Sequence, residues 1–331
     1  MKKDEMFTAA HRSLTQVLQI LSSDKVLMLY DIHSQNTADA FSQAAGSEGC
    51  EISSYLIKEE ERPLKEIPEN LSSLLPGKTI VLNILKALPE EINFRIQWLF
   101  NIEREKAKCA HMPGITEAMM TEGPMNVNYN DMRKKAALLI RAFDKADHLH
   151  IATEAGTDLI MGINKRIFTD DVFVQPGGMC NLPCGEIYCA PEETKAEGIV
   201  VFDASIGDIG ILKNPLKVYI TNGRIARFES EDKNLVNRIT ELSSVDEDAM
   251  VIGELGIGIN PGARITGNML EDEKAVNTAH IAFGNNEDFP GGGKNRSKIH
   301  RDYLFYKPTI EIFYGDKEQE KIIMEDGEFR L

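Results

Sequence analysis

His300 and Asp302 lie two residues apart in the segment S-K-I-H-R-D-Y-L-F-Y-K-P-T-I-E-I, residues 297–312, which has the pattern of a β-strand. Successive strand side chains point to opposite faces, so positions i and i+2 share one face and lie roughly 6–7 Å apart. This spacing lets an imidazole and a carboxylate converge on one metal ion. A plain hydrogen-bonded His–Asp pair has the same spacing, and the tripeptide alone favours that structural interpretation.

Three other segments place possible metal ligands in unusual surroundings. Glu186 follows a Pro/Gly turn in N-L-P-C-G-E-I-Y-C-A-P, at the start of a β-type segment. Glu254 lies among apolar residues and glycines in V-I-G-E-L-G-I-G, where an unpaired carboxylate is costly to bury. His280 lies on the far side of a helix-like segment that begins with the three acids of 271–273. Each of these segments alone is weak evidence for a site.

Length and charge limit the classes of function. The chain has 331 residues, which predicts two domains, and its composition is 42% hydrophobic and 27% charged, as in ordinary globular proteins. The formal net charge is −15. Because this excess repels phosphate backbones, we expect no nucleic-acid partner.

The N-terminus and the cysteines indicate a compartment. The first residues, M-K-K-D-E-M-F-T-A-A-H-R, carry charges where a signal peptide needs an apolar core. No run approaches the roughly 18 apolar residues of a membrane span, so we expect no membrane partner. The odd number of five cysteines fits a reducing compartment, and we predict a cytoplasmic protein. The spacing of Cys180, Cys184 and Cys189 favours buried thiols over a zinc site.

The N-terminal half alternates between strand and helix patterns. Strands are predicted at 25–30, 51–57 and 78–85, and helices at 8–21, 37–45, 91–107 and 128–146. Such β-α-β alternation implies a parallel sheet covered by helices. The sequence therefore predicts an α/β domain with a mostly parallel sheet over residues 1–147. No G-x-G-x-x-G follows the first strand, so a dinucleotide site is not supported.

From about residue 148 the sequence becomes rich in β-patterns. Strands are predicted at 148–153 and 198–206, and K-V-Y-I-T-N-G-R-I-A-R-F, residues 217–228, predicts a hairpin. Asn222-Gly223 at its centre is the strongest short-range hairpin signal. We therefore predict a β-rich α+β C-terminal domain over residues 148–331.

Taken in order, the segments resemble a known family. Four motifs carry the resemblance, in chain order: N-x-P-x-x-E followed by A-P, E-L followed by N-P, D-E followed by H-I-A-x-G, and H-x-D. They resemble the aminopeptidase T and aminopeptidase S family of thermophilic metallopeptidases. The likeness is dense from Gly156 to Glu311. The resemblance implies a metal-dependent, leucyl-aminopeptidase-like hydrolase of peptide N-terminal residues, which works through a metal-activated water. It also implies a homodimer with a peptide or small-molecule substrate.

The same resemblance implies roles for particular residues. It makes the C-terminal domain the metal-binding catalytic domain, with two divalent ions, zinc, cobalt or manganese, held by Glu186, Glu254, His280, His300 and Asp302. The family has a glutamate in D-E-N-A before its histidine, and this chain offers Glu273 in D-E-K-A, with two extra residues before His280. Glu273 is the candidate proton shuttle, with a ligand or a helix-start acid as the alternatives.

One departure and one relative keep other functions open. The family places a tyrosine seven residues after the histidine that aligns with His280, but Glu287 stands here, which favours a non-catalytic metal-binding relative as one alternative. The iron(II) ring-cleaving dioxygenases of the dihydroxypyridine type resemble the same half of the chain. They have a histidine where this chain has Glu254, and the position of His280 is not a ligand in them. The residues therefore favour the hydrolase over a non-haem iron(II) dioxygenase.

Overall fold

The computed structural model describes residues 2–315 and 319–330, which divide into two compact units. Unit 1 comprises the described residues of Met1–Arg133 and Asp171–Cys184, and unit 2 those of Lys134–Asp170 and Gly185–Leu331. Each unit is therefore discontinuous in sequence, whereas the predicted domains were separated by a single boundary after residue 147.

The helices and strands have the following bounds. The helices are α1 (Lys2–Gln16), α2 (Gln35–Ser47), α3 (Glu69–Ser72), α4 (Ile92–Arg104), α5 (Glu117–Thr121), α6 (Tyr129–Phe143), α7 (Lys233–Leu242) and α8 (Met269–Asp272). The first ten strands are β1 (Lys25–Asp31), β2 (Glu51–Ile57), β3 (Ile80–Leu85), β4 (Lys108–Pro113), β5 (His148–Ala152), β6 (Asp158–Gly162), β7 (Thr169–Asp170), β8 (Met179–Asn181), β9 (Glu186–Cys189) and β10 (Ala196–Phe202). The others are β11 (Ser205–Ile206), β12 (Gly210–Ile211), β13 (Leu216–Thr221), β14 (Arg224–Glu229), β15 (Ile252–Gly258), β16 (Thr278–Gly284), β17 (His300–Tyr306), β18 (Thr309–Tyr314), β19 (Gln319–Glu325) and β20 (Glu328–Phe329).

Unit 1 contains a five-stranded parallel sheet in the order β2-β1-β3-β4-β8. The predicted parallel sheet is thus confirmed, with β1, β2 and β3 close to their predicted positions. The apolar strand β3 is buried along its whole length, as a central strand covered on both faces should be. The pattern missed β4, because its sequence K-C-A-H-M-P carries a lysine and a histidine within a short run. Apolar side chains of the helices and strands form the core, among them Leu27, Val81, Phe94, Trp98 and Ile102.

Unit 2 contains two antiparallel sheets. The eight-stranded sheet has the order β14-β13-β10-β6-β5-β18-β19-β20, and the seven-stranded sheet has the order β12-β11-β17-β16-β15-β9-β7. The β-rich second region is therefore confirmed. The predicted hairpin is formed by β13 and β14, and both turn residues, Asn222 at φ 51° and Gly223 at φ 71°, have the positive φ of a type I′ turn.

The helix-like pattern before His280 was wrong. The helix α8 ends at Asp272, residues 273–277 lie outside helix and strand, and strand β16, which contains His280, begins at Thr278. Asn277 has a φ of 65°, which a right-handed helix does not tolerate, and the following strand is buried throughout. Burial in the sheet, and not the local sequence pattern, decides the conformation here.

None of the helices within residues 2–315 and 319–330 combines the length and the apolar character that crossing a bilayer requires. The five cysteines, all of them among the described residues, form no disulfide bond, and Cys180, Cys184 and Cys189 are buried, as predicted.

Candidate metal centre

The candidate ligands lie on neighbouring strands of the seven-stranded sheet in unit 2. Glu254 in β15 lies opposite Ala282 in β16, which in turn lies opposite Asp302 in β17. Residues directly opposite one another in antiparallel strands point to the same face of the sheet. His280 and His300 lie two residues before Ala282 and Asp302, so their side chains share this face. The sheet register therefore gathers four of the predicted ligands.

Strand β9 adds the fifth candidate on the same face. Glu186 lies opposite Gly258 in β15. Gly256, two residues earlier on the same face of β15, lies opposite His280 in β16. A Cβ atom at Gly256 would lie 2.0 Å from Nε2 of His280, which is far inside the van der Waals limit. The imidazole of His280 thus occupies the space that the missing side chain of Gly256 leaves open.

The first ligand group consists of Glu186, Glu254 and His280. One donor atom from each lies within 4.8 Å of the others. Nε2 of His280 lies 3.4 Å from Oε2 of Glu186 and 3.5 Å from Oε1 of Glu254. All three residues are buried, and Nδ1 of His280 has no hydrogen-bond partner among the described residues.

The second group consists of Glu254, His300 and Asp302, again with donor atoms within 4.8 Å of one another. Nε2 of His300 lies 2.9 Å from Oε2 of Glu254 and 3.4 Å from Oδ1 of Asp302. Glu254 belongs to both groups, and each of its oxygens faces a different histidine. The structure therefore brings the five predicted ligands into two adjoining sites that share one carboxylate.

His300 is oriented by the backbone of the loop that follows strand β16. Its Nδ1 lies 2.7 Å from the carbonyl oxygen of Asn285, which can only accept a hydrogen bond. Nδ1 therefore carries the proton and donates it, and Nε2 faces the carboxylates. Metal-binding histidines in proteins show this arrangement, in which a second hydrogen bond fixes the ring. Phe289 packs against the same imidazole, with ring centroids 5.6 Å apart.

Burial and mutual contacts shift the pKa values of the carboxylates and imidazoles of the centre in opposite directions. Burial alone would raise the pKa of Glu254, but the hydrogen bonds and charges of His280 and His300 outweigh it and hold that pKa far below its usual range. Burial lowers the pKa of His280, and the contacts with Glu254, Glu186 and Asp302 reverse this and raise it to about 9. Burial likewise lowers the pKa of His300, whereas Asp302 and Glu254 raise it well above the usual value. Both imidazoles are therefore protonated at pH 7 in the metal-free protein.

We expect the metal-free protein to lose stability as the pH rises. The pKa of His280 is about 9 in the folded state, against 6.5 for an ordinary histidine, so its stabilising contribution is complete below pH 6.5 and disappears as the pH passes 9. The free energy of unfolding should therefore fall by an amount on the order of 3 kcal/mol over this pH range. Urea denaturation in the presence of chelator, at several pH values, measures it. An unchanged midpoint between pH 6.5 and 9 would contradict the expectation.

Proton release on metal binding provides an independent check of the same titration. A divalent ion must displace the protons of the imidazoles that it binds, so its affinity at pH 7 is lower than at pH 9. Titration calorimetry in two buffers of different ionisation enthalpy counts the released protons.

Glu273, the predicted proton shuttle, belongs to neither ligand group among the described residues. Its Oε1 lies 2.8 Å from Nζ of Lys274, whose ammonium also lies 2.5 Å from Oε1 of Glu186. Burial raises the pKa of Glu273, and the charge of Asp302 adds to this while Lys274 opposes it. Glu273 is therefore a buried acid close to the charges of the centre.

Sequence reasoning missed three contributors to the centre, namely Lys274, Gly256 and Asn285. The signal for Lys274 was present, since D-E-K-A here replaces D-E-N-A of the family. Gly256 and Asn285 act through register and backbone geometry, which leave no recognisable pattern in one sequence.

Glu287, at the position of the family tyrosine, lies away from the ligands. Its side chain is 46% exposed and pairs with the exposed Arg296 at 2.6 Å. The aromatic ring beside His300 is instead that of Phe289, which also meets Tyr188 edge to face at 5.4 Å between centroids. The segment after His280 thus supplies an apolar ring and no hydroxyl at His300.

The donor set fits divalent metal ions. It consists of carboxylate oxygens and imidazole nitrogens, without a thiolate, which suits zinc, cobalt, manganese or iron(II). The carboxylates of Glu186, Glu254, Asp302 and Glu273 and the ammonium of Lys274 have a net formal charge of −3 when both imidazoles are neutral, as metal binding requires. This charge is close to balancing the +4 of two divalent ions. The steric space at Gly256 and the hydrogen bond that orients His300 support the same conclusion.

Comparison with protein families and curated proteins identifies relatives of the chain. Residues 114–329, well over half of the chain, match the family described as thermophilic metalloprotease (M29). Aminopeptidase T from Thermus thermophilus is 29% identical over 178 residues, and aminopeptidase T from Thermus aquaticus is 28% identical over the same length. These matches cover 47% of this chain but only 42% of each relative, so they span less than half of the curated proteins.

Two solved structures share the fold. The 2,5-dihydroxypyridine dioxygenase from Pseudomonas putida superposes with a TM-score of 0.77 at 17% identity, covering 99% of this chain and 97% of that chain. Aminopeptidase T from Thermus thermophilus superposes with a TM-score of 0.75 at 16% identity, covering 100% of both chains. At these identities the superpositions show the fold alone, and they are similar for a peptidase and an oxygenase. Membership rests on the family match over residues 114–329, and by that match the chain belongs to the thermophilic metalloprotease family.

Proposed function

We propose that the protein is a metal-dependent aminopeptidase that hydrolyses N-terminal residues of peptides with two divalent ions. The observation that carries the proposal is the pair of ligand groups that share Glu254 on one face of the sheet. Family membership and the relatives named aminopeptidase T support it. We propose zinc, cobalt or manganese as the metal and a leucyl-aminopeptidase-like preference, in a homodimer in the cytoplasm.

The proposed centre divides the work between the ions and the chain. Divalent ions held by the two groups supply a Lewis acid for the scissile carbonyl and lower the pKa of water towards neutrality. Glu273 takes the proton of the attacking water and returns it to the leaving amine. Its raised pKa makes it a better base than an ordinary carboxylate. A free α-amine in its neutral form would offer a nitrogen ligand to one of the ions, whereas an acylated amine could not, so the centre would prefer chain ends.

The decisive test compares two substrates that differ only in the α-amine. Protein stripped of metal is reloaded with Zn²⁺, Co²⁺ or Mn²⁺ and assayed with leucyl-p-nitroanilide and N-acetyl-leucyl-p-nitroanilide. We expect metal-restored hydrolysis of the first and at least about a 100-fold lower rate with the blocked substrate. Equal rates with both substrates would contradict an aminopeptidase. A panel of other aminoacyl p-nitroanilides then tests the leucine preference.

The two alternative functions predict different results in the same experiment. A ring-cleaving dioxygenase would bind one iron(II) and consume oxygen with 2,5-dihydroxypyridine, without hydrolysing either anilide. The second group offers one histidine and two carboxylates, whereas such oxygenases commonly use two histidines and one carboxylate. A non-catalytic relative, which the missing family tyrosine at Glu287 suggests, would bind metal and show neither activity.

Glu273→Gln is expected to lower the turnover number by roughly 10²-fold while leaving metal binding intact. Glutamine keeps the size of the side chain and its contact with Lys274 but cannot accept the proton of water. The measurements are kcat for leucyl-p-nitroanilide and metal content by elemental analysis. Loss of metal from this variant would instead make Glu273 a ligand, and full activity would exclude it as the shuttle.

Oligomeric state is tested by light scattering coupled to size-exclusion chromatography of the full chain. We expect the mass of a homodimer, about twice 37.0 kDa. A mass of one chain across the concentration range would contradict the dimer.

A further inference from the structure

Lys274 is a buried cation within the proposed centre that the ligand assignment leaves unexplained. Its side chain has no exposed surface, and Nζ lies 2.5 Å from Glu186 and 2.8 Å from Glu273. A buried ammonium is costly unless carboxylates surround it closely, as they do here. The two acids therefore hold Lys274 in its charged form beside the ligand groups.

The backbone fixes Lys274 in this position. Its amide nitrogen donates to the carbonyl of Glu271, and its own carbonyl accepts from the amide of Asn260 at 2.9 Å. The backbone of 274–275 packs directly on Gly258, where a Cβ atom would lie 2.0 Å from the carbonyl oxygen of Ala275. Gly258 is the residue opposite Glu186 in the sheet. The contact between Lys274 and Glu186 is thus set by packing on both sides.

The ammonium acts on the two ligand groups unequally. Glu186, a member of the first group with Glu254 and His280, has one oxygen against Lys274 and the other towards His280. Across the described residues, no ion pair joins any member of the second group, Glu254, His300 and Asp302, to a lysine or an arginine. An ion in the first group would therefore lie one carboxylate away from a fixed positive charge, whereas an ion in the second group would not.

We propose that Lys274 makes the two metal positions unequal, so that the site of Glu254, His300 and Asp302 binds a divalent ion tightly and the site of Glu186, Glu254 and His280 binds the second ion weakly. Repulsion between the ammonium of Lys274 and a divalent ion lowers the affinity of the first ligand group for that ion. The pairing of Lys274 with Glu186 also reduces the negative charge that Glu186 offers to the ion. The inference rests on the proposed metal centre, but not on peptide hydrolysis. The protein would then hold one ion at low metal concentration and fill the second position only as the concentration rises.

The test titrates chelator-treated, full-length protein with MnCl₂ at pH 7.5 and counts bound Mn²⁺ by electron paramagnetic resonance. The wild type is expected to bind one Mn²⁺ tightly and a second at least about 100-fold more weakly. Spin coupling between paired Mn²⁺ ions should appear only in the second phase. Two ions bound with equal affinity in the wild type would overturn the proposal without any need for a variant.

The variant Lys274→Met then tests whether Lys274 is the cause. We expect its two dissociation constants to lie within about tenfold of each other, because the repulsive charge is gone. Lys195→Met is the matched control, since Lys195 is 63% exposed and pairs only with Glu192 among the ion pairs of the described residues. The control should keep the two unequal Mn²⁺ dissociation constants of the wild type. If the two dissociation constants of Lys274→Met were as unequal as those of the wild type, Lys274 would not be the cause of the difference.

A second variant guards against misfolding. Lys274→Met leaves Glu186 and Glu273 buried without their cation, so circular dichroism checks its fold. Should it fail to fold without metal, the double variant Glu273→Gln/Lys274→Met removes one acid together with the base and keeps the local charge unchanged. Equalised affinities in the double variant support the proposal, and retained inequality overturns it. Failure of the proposed function looks different, since unequal Mn²⁺ binding would then persist without hydrolysis of leucyl-p-nitroanilide.

Discussion

Glu254→Gln is expected to lower leucyl-p-nitroanilide hydrolysis by at least about 10³-fold and to weaken the binding of both metal ions. The reason is that Glu254 is the only residue common to the two ligand groups, with Oε1 towards His280 and Oε2 towards His300. Even partners that only orient metal ligands cost about 10–100-fold when replaced, and a shared ligand should cost more. Glutamine retains the shape of the side chain but neither its charge nor its second acceptor oxygen.

The measurement combines the rate at saturating metal with Mn²⁺ dissociation constants. Glu287→Gln is the matched control, because the same atoms change in a 46% exposed glutamate that pairs with Arg296 at the surface. We expect this control to differ little from the wild type in either measurement. If Glu254→Gln lost only one of the two ions, Glu254 would not be shared between them, and the arrangement proposed here would be wrong.

Gly256→Ala should remove activity through packing alone. The added methyl group would lie 2.0 Å from Nε2 and 2.1 Å from Cε1 of His280, so the imidazole must leave its place. Gly256 is not among the glycines with positive φ, so the cost comes from the clash and not from the backbone. Overpacking a buried site costs about 1–3 kcal/mol of stability, and a displacement of about 1 Å can cost 10²-fold in rate. We therefore expect at least about a 10²-fold loss of activity.

The matched control for this prediction is Gly46→Ala in helix α2. Its Cβ atom would meet nothing closer than Cδ1 of Ile52 at 3.8 Å, and alanine is the better helix former by about 1 kcal/mol. Gly46→Ala should be fully active and slightly more stable to thermal denaturation. Normal activity and normal Mn²⁺ binding in Gly256→Ala would show that His280 is not needed as a ligand in its present position.

The two solved structures with this fold illustrate why function must be inferred from the residues and not from the fold. A peptidase and a dioxygenase superpose on this chain almost equally well, with TM-scores of 0.75 and 0.77. A common fold can support unrelated chemistry through a few side chains. In this chain the distinguishing side chains are Glu254 and His280, which form the first ligand group with Glu186, beside His300 and Asp302. They motivate the proposal of a two-ion centre over a single-iron site.

The sequence by itself determined the local features that short-range chemistry controls. The apolar runs predicted strands β1, β2 and β3 of the parallel sheet. Asn222-Gly223 predicted the turn of the antiparallel β13–β14 hairpin, because few residues adopt positive φ without strain. Strand periodicity placed His300 and Asp302 on one face, and the order of the motifs selected all five ligands before any distance was known. The assignment of these five residues as ligands stays a prediction for the metal titrations to test.

Only the tertiary structure decided how these pieces combine. The register of β9, β15, β16 and β17 makes Glu254 the shared carboxylate, and no single sequence encodes which strands become neighbours. The same register sets Gly256 against His280, while packing of residues 274–275 on Gly258 brings Lys274 to Glu186. The helical pattern before His280 ends early, since α8 stops at Asp272 and the buried strand β16 begins at Thr278, because burial in the sheet outweighs local propensity. Contacts between residues distant in sequence depend on the whole packed fold, so they lie beyond what periodicity and motif spacing can predict.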